Sequence, residues 1–272
     1  MKPTARTALD GHLTDRDIRI LIDLEQFRLL TTRHLQRLNF ATAPLGPHTS
    51  TNSATRATTR VLGRPEQLGA ISRLDRRIGG IKHGSALTIR QLASAGDRYL
   101  RARRGDPIRR RYEEPALIFT EHQLAVADIA TTVIEQAQAQ RFDLLELEAE
   151  PTCWRTFNGS ANTVLTLKPD LLVVTADTST ETHSYVEVDR GTEHLPAVLR
   201  KCRTYQRYLD TGTEQQSRGL FPAVVWIVPD TIRATKIRDA IAADQTLQPD
   251  LFWTITPEQT LRHLAPYGPP TT

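Results

Sequence analysis

The chain has 272 residues, 39% of them hydrophobic and 24% charged, with a formal net charge of +4. That is enough apolar material and length for two packed cores. No apolar run reaches the roughly 18 residues of a membrane span, and the opening stretch has no apolar segment of the signal-peptide kind, so a soluble cytoplasmic protein is expected. The two cysteines, Cys153 and Cys202, are too few for a zinc site or a disulfide framework and are expected as reduced, buried thiols.

The charge is not evenly spread. Residues 1–115 hold 22 Lys and Arg against 11 Asp and Glu, a net +11, and the remainder carries −7. A basic half joined to an acidic half points to a nucleic-acid-binding module tied to a part with a different task. The chain prefers Arg to Lys throughout, but a coding bias alone would not confine the excess to one half.

In chain order, Thr14 is placed to cap a helix over "TDRDIRILIDLEQFRLL", with Asp15 and Asp17 in its first turn and Ile18, Leu21, Ile22, Leu24 and Leu29 at helical spacing. A tight turn leads to a second short helix, "TTRHLQRLNF", capped by Thr31 or Thr32. The Pro, Gly, Ser and Thr of "ATAPLGPHTSTNS" predict a loop, after which a third helix begins near Ser53. Arg56, Arg60 and Arg64 lie four apart on this helix and share a face suited to phosphates and base edges, although Pro65 argues against one continuous helix there. Next come two short runs around Gly79, Gly80 and Gly84, a β-hairpin signature, with Arg76, Arg77, Lys82 and His83 placed to touch DNA backbone. The stretch "LASAGDRYLRARR" predicts a returning fourth helix.

Three helices followed by a hairpin describe a winged helix-turn-helix domain over residues 1–100. A single arginine on a helix is often no more than a solvated face; three in register followed by a basic hairpin favour double-stranded DNA. RNA is less well supported, because no aromatic platform interleaves the basic residues. Residues 101–115 are arginine-rich around Gly105 and Pro107 and predict a basic linker or arm.

From 116 to 272 the pattern changes. A capped helix from about Thr120 is followed by the strand-like runs "DLLELEAE", "TVLTLKPDLLVVT" and "HSYVEVDRG". A helix after Thr192, a strand "FPAVVWIVPD", a helix from Thr231 and a strand "LFWTIT" complete an α/β, mixed-sheet αβββαβ arrangement. If the second and third strands pair antiparallel, Asp170 and Glu187 converge on one sheet edge, where carboxylates hold a divalent cation against a phosphate. Glu121 and His194 are further candidates near this edge. A nucleophilic tyrosine is less well supported, because no histidine cluster accompanies Tyr99, Tyr112, Tyr185, Tyr205 or Tyr208.

With Pro169-Asp170 on one strand and Glu187-x-Asp189 on the next, this core resembles the PD-(D/E)xK nuclease superfamily, or restriction-endonuclease-like fold. The resemblance implies that Asp170 and Glu187 bind Mg2+ and that a lysine two residues after the second acid activates water. Asp189 occupies that lysine position, as a third metal ligand or as a partner of Arg190 or Lys201. Lys201 on the following helix is the candidate replacement, unless it is an ordinary surface lysine beside the stripe of Val198, Cys202, Tyr205 and Leu209. Over its length, through "LTTRHLQRLNF", "LTIRQLASAGDRYL", "KPDLLVV", "YVEVDRGTEHL" and the Lys201 to Tyr205 step, the chain also resembles the replication-relaxation family. That implies a role in replication and relaxation of plasmid or mobile-element DNA. Two readings stay open: Mg2+-dependent nicking by Asp170, Glu187 and Lys201, or a non-catalytic DNA-binding accessory or transcriptional regulator whose nuclease-like domain mediates partner contact or homodimerisation. A replication or relaxase protein is the candidate partner.

Overall fold

Residues 9–74, 88–106, 117–159 and 163–266 are described by the computed structural model, an α/β chain with a mixed five-stranded sheet. It divides into two compact units, Met1–Thr131 and Thr132–Thr272.

In the first unit, α1 (Asp15–Phe27) starts where Thr14 and Asp17 satisfy each other's backbone N–H groups in a capping box. Its inward stripe is Ile20, Leu21, Leu24 and Phe27, while Ile22 is 44% exposed. The helical phase is therefore rotated from the one read in the sequence, which omitted Ile20 and counted Ile22. Leu29 lies past the helix, in a short strand β1 (Leu29–Thr31). Thr31 then caps α2 (Thr32–Asn39) and Ser50 caps α3 (Thr51–Gln67). Helix α3 runs through Pro65 without a break; the proline sits in the last turn, where Leu68 N–H still reaches the Arg64 carbonyl. A proline this close to the end removes one ladder hydrogen bond but leaves little helix beyond it to disrupt.

Strands β2 (Ile71–Arg73) and β3 (Ile89–Leu92) pair antiparallel, and β1 pairs antiparallel with β3, giving the order β1-β3-β2. The predicted hairpin tip, with Arg76, Arg77, Lys82 and His83, lies outside the described residues. Helix α4 (Ser94–Arg104) extends into the arginine-rich stretch: Arg101 pairs with Asp97, and Arg104 forms a two-pronged pair with Glu25. Its buried Gly96 passes so close to the preceding loop that a Cβ there would lie 2.3 Å from the Ala70 carbonyl oxygen, so only glycine fits. Ile20, Leu21, Leu24, Leu30, Leu35, Leu62, Ile71 and Ile89 are fully buried in this unit. Each such side chain contributes about 1.5–3 kcal/mol by leaving water. The first half of α5 (Leu117–Gln138) adds Leu124 to a cluster with Leu29, Leu74 and Ile89, and Asp128 to an ion pair with His34.

In the second unit, β4 (Asp143–Ala149), β7 (Leu171–Ala176), β8 (Glu181–Val188), β9 (Ala223–Ile227) and β10 (Phe252–Ile255) form a sheet in the order β10-β9-β8-β7-β4. β4, β7 and β8 are antiparallel neighbours; β8, β9 and β10 are parallel. The run "TVLTLKPDLLVVT" is split rather than continuous. β6 (Val164–Leu167) pairs with β5 (Arg155–Asn158) in a separate ribbon, and Pro169, which has no N–H to give a ladder, stands between β6 and β7. Helix α6 (Leu195–Asp210) lays Val198, Cys202 and Tyr205 on the sheet face formed by Leu172, Tyr185, Val224 and Trp226. Helices α7 (Thr213–Arg218), α8 (Thr231–Ala243) and α9 (Thr260–Leu264) complete the unit. On the opposite face of the sheet the Thr175 hydroxyl donates to the Leu264 carbonyl at 2.6 Å.

Candidate functional site

Two constellations carry the chemistry, one in each unit. In the second unit, the register of β7 and β8 pairs Leu171 with Val186, and its continuation sets Asp170 opposite Glu187. Residues directly opposite in an antiparallel pair project from the same face, so both acids belong to the face covered by α6. Asp170 Oδ2 accepts the Val188 backbone N–H at 2.7 Å, which fixes that carboxylate at the strand end.

Glu187 is 1% exposed and has two side-chain donors. The Lys201 ammonium donates to its Oε2, and the Tyr205 hydroxyl donates to Oε1 at 2.5 Å. Lys201 and Tyr205 are one helical turn apart, so both project from α6 toward the same point. The Lys201 side chain retains 28% exposure, and its nitrogen also lies 6.0 Å from the Trp226 ring centroid. Burial pushes the Glu187 carboxyl up to about 8, against the lowering pull of Lys201 and with a further push from Asp170. Burial alone would lower Lys201, but Glu187 and Asp170 hold it above the ordinary lysine range. The Tyr205 hydroxyl is driven well up by burial and by Glu187.

Asp189 stands apart from this group. Its side chain is fully buried, its Oδ2 lies 2.6 Å from Arg233 Nε and its Oδ1 accepts the Gly191 N–H at 2.7 Å. Arg233 also donates to the Glu193 carbonyl at 2.6 Å, tying the loop after β8 to α8. The structure thus brings Asp170, Glu187 and Lys201 together and gives Asp189 to Arg233. Among the described residues, no three His, Cys, Asp or Glu side chains converge on a point that could hold a metal ion. The donor chemistry of the remaining pair still suits Mg2+, which is commonly held by one or two carboxylates plus substrate phosphate. His194 is exposed at the N-cap of α6, and Glu121 lies on the part of α5 that counts with the first unit.

In the first unit, α3 turns Ala54, Thr58, Leu62 and Pro65 inward and leaves Thr51, Asn52, Thr55, Arg56, Thr59 and Arg60 exposed. Arg56 and Arg60 remain on the outward face. Arg64 is exposed as well, its side chain 46% accessible, but its NH1 donates to the buried Asp17 at 3.0 Å, closing the side of the α1 cap. Thr55 also sits beside α2, its Oγ1 3.1 Å from the Gln36 side-chain amide.

Sequence reasoning missed the roles of Tyr205 and Arg233. The four-residue step from Lys201 to Tyr205 was a usable signal, because it places both on one helix face. Nothing local marks Arg233, which meets Asp189 from 44 positions away.

A family model described as replication-relaxation matches residues 21–224. Comparison with curated proteins and with solved structures gives no match. Among the described residues, no helix is long and apolar enough to cross a membrane.

Proposed function

Because the chain belongs to the replication-relaxation family, we propose that it is a cytoplasmic DNA-binding protein acting in replication and relaxation of plasmid or mobile-element DNA. Its first unit is read as a winged helix that docks on double-stranded DNA through α3. The observation that carries this reading is the outward face of α3, where Arg56 and Arg60 stand exposed on a helix with no acidic residue before Glu66. Guanidinium groups left in solvent on such a face neutralise phosphates and reach base edges. The test is duplex binding by fluorescence anisotropy over a salt series. Replacing both arginines by alanine should weaken duplex binding by about tenfold or more across the series. An unchanged affinity excludes α3 as the docking element.

The second unit is read as a PD-(D/E)xK-type nuclease-like domain that nicks DNA. Asp170 and Glu187 would hold Mg2+, which when bound supplies Lewis-acid polarisation of a phosphate oxygen and a more acidic water. The partly exposed Lys201 ammonium neutralises charge at the same edge and is placed to stabilise charge growing on phosphate. Tyr205 fixes the Glu187 rotamer by its hydrogen bond and so acts as a positioning residue. Supercoiled plasmid incubated with the protein and MgCl2 should be nicked, and Asp170→Asn should abolish nicking while leaving duplex affinity unchanged.

One observation favours a second reading. Both Glu187 oxygens and both Asp189 oxygens already have donors within the protein. A domain neutralised internally in this way serves as a partner-contact or dimerisation module, with a replication or relaxase protein or a second copy as the partner. Plasmid left intact in both Mg2+ and Mn2+ decides for it.

A further inference from the structure

We infer that Arg56 and Arg60 specify guanine, each donating to the N7 and O6 acceptors of one guanine in the major groove, at positions about one or two base pairs apart. This inference rests on the DNA-binding reading and adds what is read. The groups on the outward face of α3 determine the choice. Thr55 and Thr59 are exposed beside the arginines, but their hydroxyls already donate to the carbonyls of Thr51 and Thr55 at 2.8 and 3.0 Å. Arg64, the next arginine in the series, is held by Asp17. Arg56 and Arg60 are therefore the exposed arginines of this helix that are not engaged by an acid among the described residues.

A guanidinium has five N–H donors and no acceptor. In the major groove guanine offers two acceptors side by side, whereas adenine sets a donor beside its one acceptor, cytosine offers a donor, and thymine offers one acceptor beside a methyl group. The donor-only fork matches guanine alone in both prongs. Helix geometry bounds the spacing: four residues advance about 6 Å along the helix axis and base pairs stack about 3.4 Å apart, so the two arginines reach positions about two base pairs apart at most, and one apart when the helix follows the inclined groove.

The test uses duplexes selected by the full chain from a randomised pool, treated with dimethyl sulfate, which methylates guanine N7 in the major groove and adenine N3 in the minor groove. The expected result is two guanines about one or two base pairs apart whose N7 methylation blocks binding. Arg56→Ala should remove the interference at one and Arg60→Ala at the other, each lowering discrimination against the wrong base by about ten- to a hundredfold. Both side chains are exposed, so the variants should keep the circular dichroism and urea midpoint of the parent chain. Binding that tolerates methylation at every guanine, interference confined to adenine N3, or an interference pattern unchanged in both variants would overturn the inference while leaving DNA binding intact. Failure to select any duplex would overturn the DNA-binding reading and this inference with it.

Discussion

The two units use charge in opposite ways. On α3 of the first unit, Arg56 and Arg60 stand in solvent with no acid paired to them among the described residues. In the second unit the buried acids Asp170, Glu187, Asp189 and Glu214 are compensated by groups of the protein: the Val188 N–H, Lys201 with Tyr205, Arg233 with the Gly191 N–H, and the Tyr208 hydroxyl with the charge of Arg218 alongside. A buried charge must be compensated from within, or the fold loses several kcal/mol. An exposed charge costs the fold almost nothing and remains available to a partner. Stability in this chain should therefore be sensitive to the paired charges of the second unit and nearly blind to Arg56 and Arg60 of α3.

The largest expected effect comes from orphaning Asp189. Arg233→Ala leaves a fully buried carboxylate with one backbone donor and should destabilise the second unit by about 3–5 kcal/mol in urea unfolding. The double change with Asp189→Asn should recover part of that loss. If Arg233→Ala unfolds like the parent chain, the ion pair is not what holds the loop after β8.

A smaller, pH-dependent effect belongs to Glu187. Its carboxyl is raised in the folded state from 4.5 to about 8, so the fold favours the protonated form. Its contribution is therefore fully present below about 4.5 and is lost as pH rises through about 8. The urea midpoint should fall across that window, and Glu187→Gln should flatten the fall. Asp23 in the first unit, raised mainly by burial from 3.8 to about 6, adds a slope of the same sign at lower pH. Asp23→Asn removes that part separately. A Glu187→Gln variant with the parent's pH profile would place the titrating group elsewhere.

The smallest effect on the fold is expected at α3. Arg56→Ala and Arg60→Ala should each change stability by no more than about 0.5 kcal/mol. A larger loss in chemical denaturation would mean that these side chains support the unit itself, and the contrast between the units would disappear.

Local rules made much of this legible. Thr14 with Asp17, and Thr31 ahead of α2, are capping signals readable from residue type and spacing. The approach of Asp170 to Glu187 followed from pairing two apolar runs antiparallel, and Lys201 reached Glu187 because helical spacing sets it one turn before Tyr205. What stayed hidden depends on partners distant in sequence. Asp189 occupies the position where the nuclease-like pattern expects lysine, and no local feature announces that Arg233 neutralises it. Arg64 keeps the four-residue spacing of Arg56 and Arg60, but the helix drifts by about 40° at each step, enough for Asp17 to capture the third arginine. The strand Leu29–Thr31 is only three residues long and gains its identity from pairing with β3, which no window centred on it contains. Pro65 by its residue type argues against a continuous helix, yet its place in the final turn makes it tolerable.

The burial of both cysteines has a practical consequence. Cys153 gives its Sγ hydrogen bond to the Pro169 carbonyl at 3.1 Å, and burial raises its thiol far above the usual range. The Cys202 thiol is pushed up to about 12, chiefly by burial. Thiolate is the nucleophilic form, so maleimide and iodoacetamide should leave both sulfurs unmodified while the chain is folded. A single cysteine introduced on the outward face of α3, at Asn52 for instance, would then take a fluorophore selectively in the otherwise native sequence.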